Sequence, residues 1–180
     1  VEAAQTKNQV VVEENLDVEN ALLRQIMGES GFGRRTWVRV DGPTLRLRYR
    51  AKVEVSRAPV QLDGLSAASL DELPADLITF LRPSRFCQSD QFETFAAHEF
   101  GHLSGGKKVA AIVEWIQSEL TYAPGASDRE TTLLDTFSSR KGVCRDYAHL
   151  LCGLARASHI PARYVSAYGP SVDPQDFHAV

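Results

Sequence analysis

The chain has few cysteines, no long apolar run and little net charge, and each shortage removes a class of protein. Its three cysteines, Cys87, Cys144 and Cys152, are odd in number and include no C-x-x-C pair. Neither a disulfide framework nor a structural zinc knuckle is expected from that spacing, and a reducing compartment is. No stretch is apolar enough for long enough to span a bilayer, and no signal segment is recognisable, so a cytoplasmic protein without a membrane partner is expected. The chain begins at Val1 rather than at a methionine, and a missing true N-terminus would hide a leader. A formal net charge of -3 is too near balance to imply nucleic acid through bulk electrostatics. Internal repeats and low-complexity tracts are also lacking.

What is present is enough apolar material for one or two folded domains: 43% of 180 residues. The organisation changes along the chain, and we expect a β-rich region at 1–57, a connector with short helices at 58–104 and a further core at 105–180. In the first region Leu45, Leu47, Tyr49, Ala51, Val53 and Val55 alternate with Arg46, Arg48, Arg50, Lys52 and Glu54, the pattern of a half-buried antiparallel strand. The basic outer face lacks the interleaved aromatics of a base-stacking surface, so it reads as a solvated face. Helices are expected at about 89–100 and 107–120, the second with Val109, Ile112, Val113, Ile116 and Leu120 on one apolar face.

The most informative segment is the last forty or so residues. Cys144 follows Gly142-Val143 at the start of an expected helix, where partial positive charge and unpaired N–H groups favour a thiolate. Pro161 bars continuation of that helix, and Ala162 to Tyr168 alternates like a strand. A loop, G-P-S-V-D-P-Q-D, leads to Phe177-His178-Ala179-Val180, the start of another strand. Helix, strand, loop and strand can fold back to bring His178 beside Cys144, where an imidazole would take the thiol proton and return it to a leaving group.

G-V-C-R-D-Y-A-H-L-L, I-P-A-R-Y-V-S-A-Y and D-F-H-A-V, in that order, resemble the core of the bacterial transglutaminase-like superfamily, a group often described as cysteine proteases. L-R-P-S-R-F-C-Q-S-D, V-A-A-I-V-E-W-I and T-Y-A-P-G-A-S-D-R-E-T-T-L-L-D-T-F upstream are similar to its members as well, and the N-terminal β region more loosely so. The resemblance implies an α+β protein: an N-terminal antiparallel β region followed by a papain-like cysteine-protease core at 105–180, with a Cys-His-Asp arrangement. It makes Cys144 the nucleophile and His178 the general base. It places the orienting aspartate on a strand past Val180, so the core would be incomplete at its closing strands. Asp146, Asp173 and Asp176 do not match that position. Because the chain ends within an apolar strand pattern, a fragment of a longer protein is expected.

The function expected is acyl transfer on an amide bond of a protein or peptide substrate through a thioester, by hydrolysis or transamidation, without a cofactor. Hydrolysis of peptide or isopeptide bonds is slightly favoured by the resemblance, and oligomeric state is not readable. One alternative is a non-catalytic binding module that keeps the fold. Another is a zinc metalloprotease, because His98-Glu99-Phe100-Gly101-His102 fits H-E-x-x-H. Against zinc, position 108, where an extended motif would carry a third histidine, is Lys108, and Leu103-Ser104-Gly105-Gly106 is expected to break the helix. We therefore expect no metal. Cys152 reads as a buried hydrophobe, Cys87 as structural, His149 as a helix-surface residue, His159 as a helix-end residue and Asp146 as a stabiliser of the first helical turn.

Overall fold

The computed structural model describes residues 2–28, 31, 33–169, 172–173 and 175–180. It falls into two compact units, Val1–Val60 and Gln61–Val180. The first is antiparallel β structure, as expected. Strand β1 (Gln9–Glu19) pairs with β4 (Arg46–Val55), and β2 (Ala21–Met27) pairs with β3 (Arg34–Val40). Asn20, with a φ of 53°, turns the chain between β1 and β2. Asparagine tolerates that left-handed conformation better than most residues. The β1–β4 register sets Glu19 opposite Arg46, Asp17 opposite Arg48 and Glu13 opposite Lys52, so each of these basic groups faces an acidic neighbour across the ladder. Inside the unit, Glu14 accepts hydrogen bonds from Arg34 and from the Tyr49 hydroxyl, and the Arg34 guanidinium holds its carboxyl below the usual value.

The alternation in β4 does not produce the expected half-burial. Leu47, Val53 and Val55 are 52%, 41% and 54% exposed, and only Tyr49 in this strand is part-buried. A two-stranded ribbon has too little of a sheet around it to cover one face, and period-2 patterning then marks two chemically different faces without burying either.

The second unit carries the core. After short 3₁₀ turns at Leu62–Gly64, Leu70–Glu72, Ala75–Leu81 and Ser89–Phe92 come helices α1 (Glu93–Phe100) and α2 (Gly105–Glu119). They are followed by β5 (Thr121–Tyr122), α3 (Leu133–Ser139), β6 (Lys141–Gly142), α4 (Cys144–Ala157), β7 (Ser166–Gly169) and β8 (Asp176–Ala179). Strands β5 and β6 are parallel, and β7 and β8 antiparallel. The expected face of α2 is present: Ile112, Ile116 and Leu120 are buried against Leu133 of α3 and against Leu150, Cys152 and Leu154 of α4. Cys87, Phe92, Ala96 and Phe100 complete the same cluster. No helix among the described residues is long and apolar enough to cross a membrane.

Two local expectations are corrected. The expected helix break is present but lies at 101–104, and Gly105 and Gly106 open α2, where an added Cβ at Gly106 would sit 1.8 Å from the Leu62 carbonyl oxygen. Gly106 N–H also donates to the Leu65 carbonyl at 2.9 Å, so the pair is required by close backbone approach. The strand expected from Ala162 to Tyr168 begins only at Ser166. Ala162 is anchored elsewhere, its N–H on the Phe80 carbonyl at 3.1 Å and its carbonyl on Arg156 Nε at 2.9 Å, which takes it out of any ladder. Paired bonds between Val165 and Val180, at 2.8 and 3.0 Å, extend the β7–β8 ladder by one step. Pro170, Ser171 and Pro174 of the expected loop lie outside the described residues.

Candidate active site

The start of α4 is built by the residues just before it. Arg140 ends α3 in the left-handed conformation, at φ 56°, with its guanidinium over the Trp115 and Phe137 rings at 4.7 and 4.2 Å. Strand β6 is held to β5 by the Thr121 N–H on the Arg140 carbonyl and the Ala123 N–H on the Gly142 carbonyl, both at 2.9 Å. Val143 is extended, and Cys144 is the first helical residue, part-exposed and free of any disulfide. The expectation of a cysteine at a helix N-terminus is met.

Asp146 stabilises that first turn, as expected from its position, and it is 1% exposed. Its Oδ2 accepts the Val143 N–H at 2.8 Å and the Ser127 hydroxyl, while its Oδ1 accepts Arg145 Nε at 3.3 Å and Nη2 at 3.2 Å. Arg145 Nη2 also donates to Ser127 Oγ at 3.1 Å and to the Asp128 carbonyl at 2.6 Å. A Cβ at Gly142 would lie 2.7 Å from the Asp146 Cβ, so the buried carboxylate needs glycine beside it.

His178 lies on β8, part-buried and opposite Ala167 of β7, and β8 packs against α4. The fold thus brings the strand of one expected site residue onto the helix of the other. Of the aspartates near it in sequence, Asp146 is engaged at the helix start and Asp176 Oδ1 accepts the Phe177 N–H at 2.7 Å.

The remaining thiols and imidazoles sort by burial. Cys87 and Cys152 are 2% and 5% exposed, and burial pushes the Cys87 thiol up to about 11 and that of Cys152 in the same direction. His159 sits exposed just past the end of α4 in the left-handed conformation, at φ 59°. His149 departs from its expected helix-surface role. Its ring is stacked between Tyr164, at 4.7 Å and 18°, and Phe86, at 5.7 Å and 29°. Phe86 and Tyr164 are far apart in sequence, and nothing local in A-H-L-L signals that they will meet there.

Burial, followed by the nearby Arg145 charge, holds the His149 pKa below its ordinary value near 6.5. The unfolded chain therefore takes up this proton more readily than the folded one. The stability contribution of neutral His149 is complete above about pH 6.5 and falls as pH drops through that value toward the lower folded pKa. Urea unfolding at pH 7.5 and 5.5 should show a smaller loss of stability on acidification in His149→Phe than in the wild type. An identical loss in both would remove His149 as its source.

The helix on which the two H-E-x-x-H imidazoles would have to share a face is absent. Helix α1 ends at Phe100, with Gly101 donating to the Ala97 carbonyl at 3.0 Å, and His102 lies in the turn beyond. His98 is 83% exposed at its side chain and paired to Glu99 at 2.9 Å. Among the described residues, no group of three or more His, Cys, Asp or Glu is placed to hold a metal ion.

Comparison with known proteins adds to this geometry. Residues 95–180 match the family model described as the transglutaminase-like superfamily. The chain is 35% identical to a protein from Cytophaga hutchinsonii whose crystal structure is described as that of "a Putative Cysteine Protease", with a TM-score of 0.85 over 99% of this chain and 63% of that one. It is also 42% identical over 62 residues to a protein of Mycobacterium leprae (strain TN) described as uncharacterized, which is 34% of this chain and 22% of that protein. The chain thus spans less than two thirds of either protein.

Proposed function

We propose, for a chain whose residues 95–180 belong to the transglutaminase-like superfamily, that Cys144 is the nucleophile of an acyl transfer on amide bonds and His178 its general base. The core is transglutaminase-like within an α+β fold, and the Cytophaga likeness supports a cysteine-protease-like function in general terms. The observation that supports the finer reading is a part-exposed cysteine at the first residue of α4 together with β8, the strand that carries His178, packed against that helix.

The chemistry follows from those positions. His178 takes the thiol proton, and the Cys144 thiolate attacks the amide carbonyl carbon. Backbone N–H groups near the helix start, that of Cys144 included, donate to the oxyanion, which forms where the helix end carries partial positive charge. The C–N bond then breaks, His178 returns the proton to the leaving amine, and a thioester remains. Water releases an acid from it, and an amine acceptor instead forms a new amide. A protein or peptide is the substrate class this reading implies.

Thiol reactivity tests it without knowledge of the substrate. With limiting iodoacetamide near neutral pH, peptide mass spectrometry should find Cys144 alkylated well before Cys87 and Cys152, whose buried thiols resist ionisation. His178→Ala should slow the Cys144 reaction alone. Equal rates at all three thiols would leave a binding module as the better reading.

A further inference from the structure

The carboxylate beside the proposed nucleophile is held far more elaborately than a helix cap requires. Asp135 shows what capping alone needs: at the third position of α3 it accepts the Thr132 N–H at 2.8 Å and the Thr132 hydroxyl at 2.7 Å, and it remains exposed. Asp146 occupies the same position of α4, yet it is 1% exposed and takes donors from three directions. The Val143 N–H comes from the turn entering the helix, the Ser127 hydroxyl from the preceding loop, and two guanidinium nitrogens from Arg145. Burying a carboxylate costs several kcal/mol unless such partners satisfy it, so a protein needing only a cap has little reason to do so. Arg145 goes on to clamp the Asp128 carbonyl, locking the 127–128 loop against the residue that follows Cys144.

We infer that Asp146 is a positioning residue for the chemistry of Cys144: its buried carboxylate, held by Arg145 and Ser127, fixes the first turn of α4 and sets the local charge that the thiolate meets. The inference rests on the acyl-transfer reading for its purpose and for the burst arm of its test, while the alkylation arm is independent of that reading. Removing one negative charge two residues from the thiol stabilises the thiolate and leaves Arg145 without its anionic partner, which acts in the same direction. The other titratable or charged groups on the surrounding elements are Tyr147, His149, Cys152 and Arg156 on α4, Tyr122 on β5, Lys141 on β6, Asp128, Arg129 and Glu130 on the loop, Tyr164 after the helix, and Asp176 and His178 on β8. Those groups are identical in wild type and variant, so the comparison isolates Asp146.

The experiment compares Asp146→Asn with Asp135→Asn in the whole chain. The pH profile of Cys144 alkylation by iodoacetamide should shift its midpoint down by about one unit in Asp146→Asn and stay in place in Asp135→Asn. The acylation burst with 4-nitrophenyl acetate, in which the thiolate displaces 4-nitrophenolate to give an acetyl thioester, should fall about tenfold to a hundredfold in Asp146→Asn, because the thiolate is misdirected. Ser127→Ala removes one donor without changing charge and should lower the burst in the same sense, which keeps the test open if Asp146→Asn fails to fold. The inference is overturned if Asp146→Asn folds with an unchanged midpoint and burst, if Asp135→Asn shifts both equally, or if Asp146→Asn fails to fold and Ser127→Ala leaves the burst intact. A burst that survives Cys144→Ala would instead sink the acyl-transfer reading, while the alkylation midpoint would still report on Asp146.

Discussion

Replacing Cys144 with alanine should remove the acylation burst with 4-nitrophenyl acetate, lowering acyl transfer at least about a thousandfold while the protein remains folded. The size follows from the role. A nucleophile makes the covalent bond, and the oxyanion donors and substrate contacts left behind retain only the residual rate enhancement known for proteases stripped of theirs. The stability half of the expectation follows from packing: Cys144 is part-exposed and lies outside the buried cluster, so truncating its side chain opens no cavity. His178→Ala should show the same loss of burst, since the pair acts as a unit. The decisive comparison is burst amplitude against urea midpoint. A Cys144→Ala protein that is folded and still bursts would exclude the cysteine mechanism.

The largest structural effect is expected at Leu154. Its side chain is 0% exposed and belongs to the cluster formed by α2, α3 and α4. Leu154→Ala should cost about 2–5 kcal/mol, combining lost transfer free energy with a residual cavity in a region too interlocked to collapse onto it. Leu47→Ala in β4, where leucine is 52% exposed, should change stability by less than about 0.5 kcal/mol. Equal denaturant midpoints for the two variants would contradict the assignment of the core to the second unit.

The contrast between these two leucines shows what a hydrophobic pattern can carry. Both occur in well-formed patterns, one of period 3.6 and one of period 2. Periodicity specifies that a segment has an apolar face, not that another layer will arrive to cover it. In α4 the layer arrives from α2 and α3, whereas in β4 the ladder stops at two strands.

By itself the sequence determined the features that depend on neighbours a few residues away. These are the β character of the first region, the apolar face of α2 at Ile112 and Ile116, and the start of a helix at Cys144 after Gly142-Val143. Ordered motifs also carried the family resemblance, because residue identity at a turn or helix start is written directly in the chain. Tertiary structure alone decided the rest. It set His149 against Phe86 and Tyr164, joined Ser127 to Asp146 and Arg145, and seated Gly105-Gly106 at a helix start against Leu62. All three depend on segments distant in sequence meeting in space. A short-range pattern does not record them, because the free energy of such contacts exists only once the packing that makes them has formed.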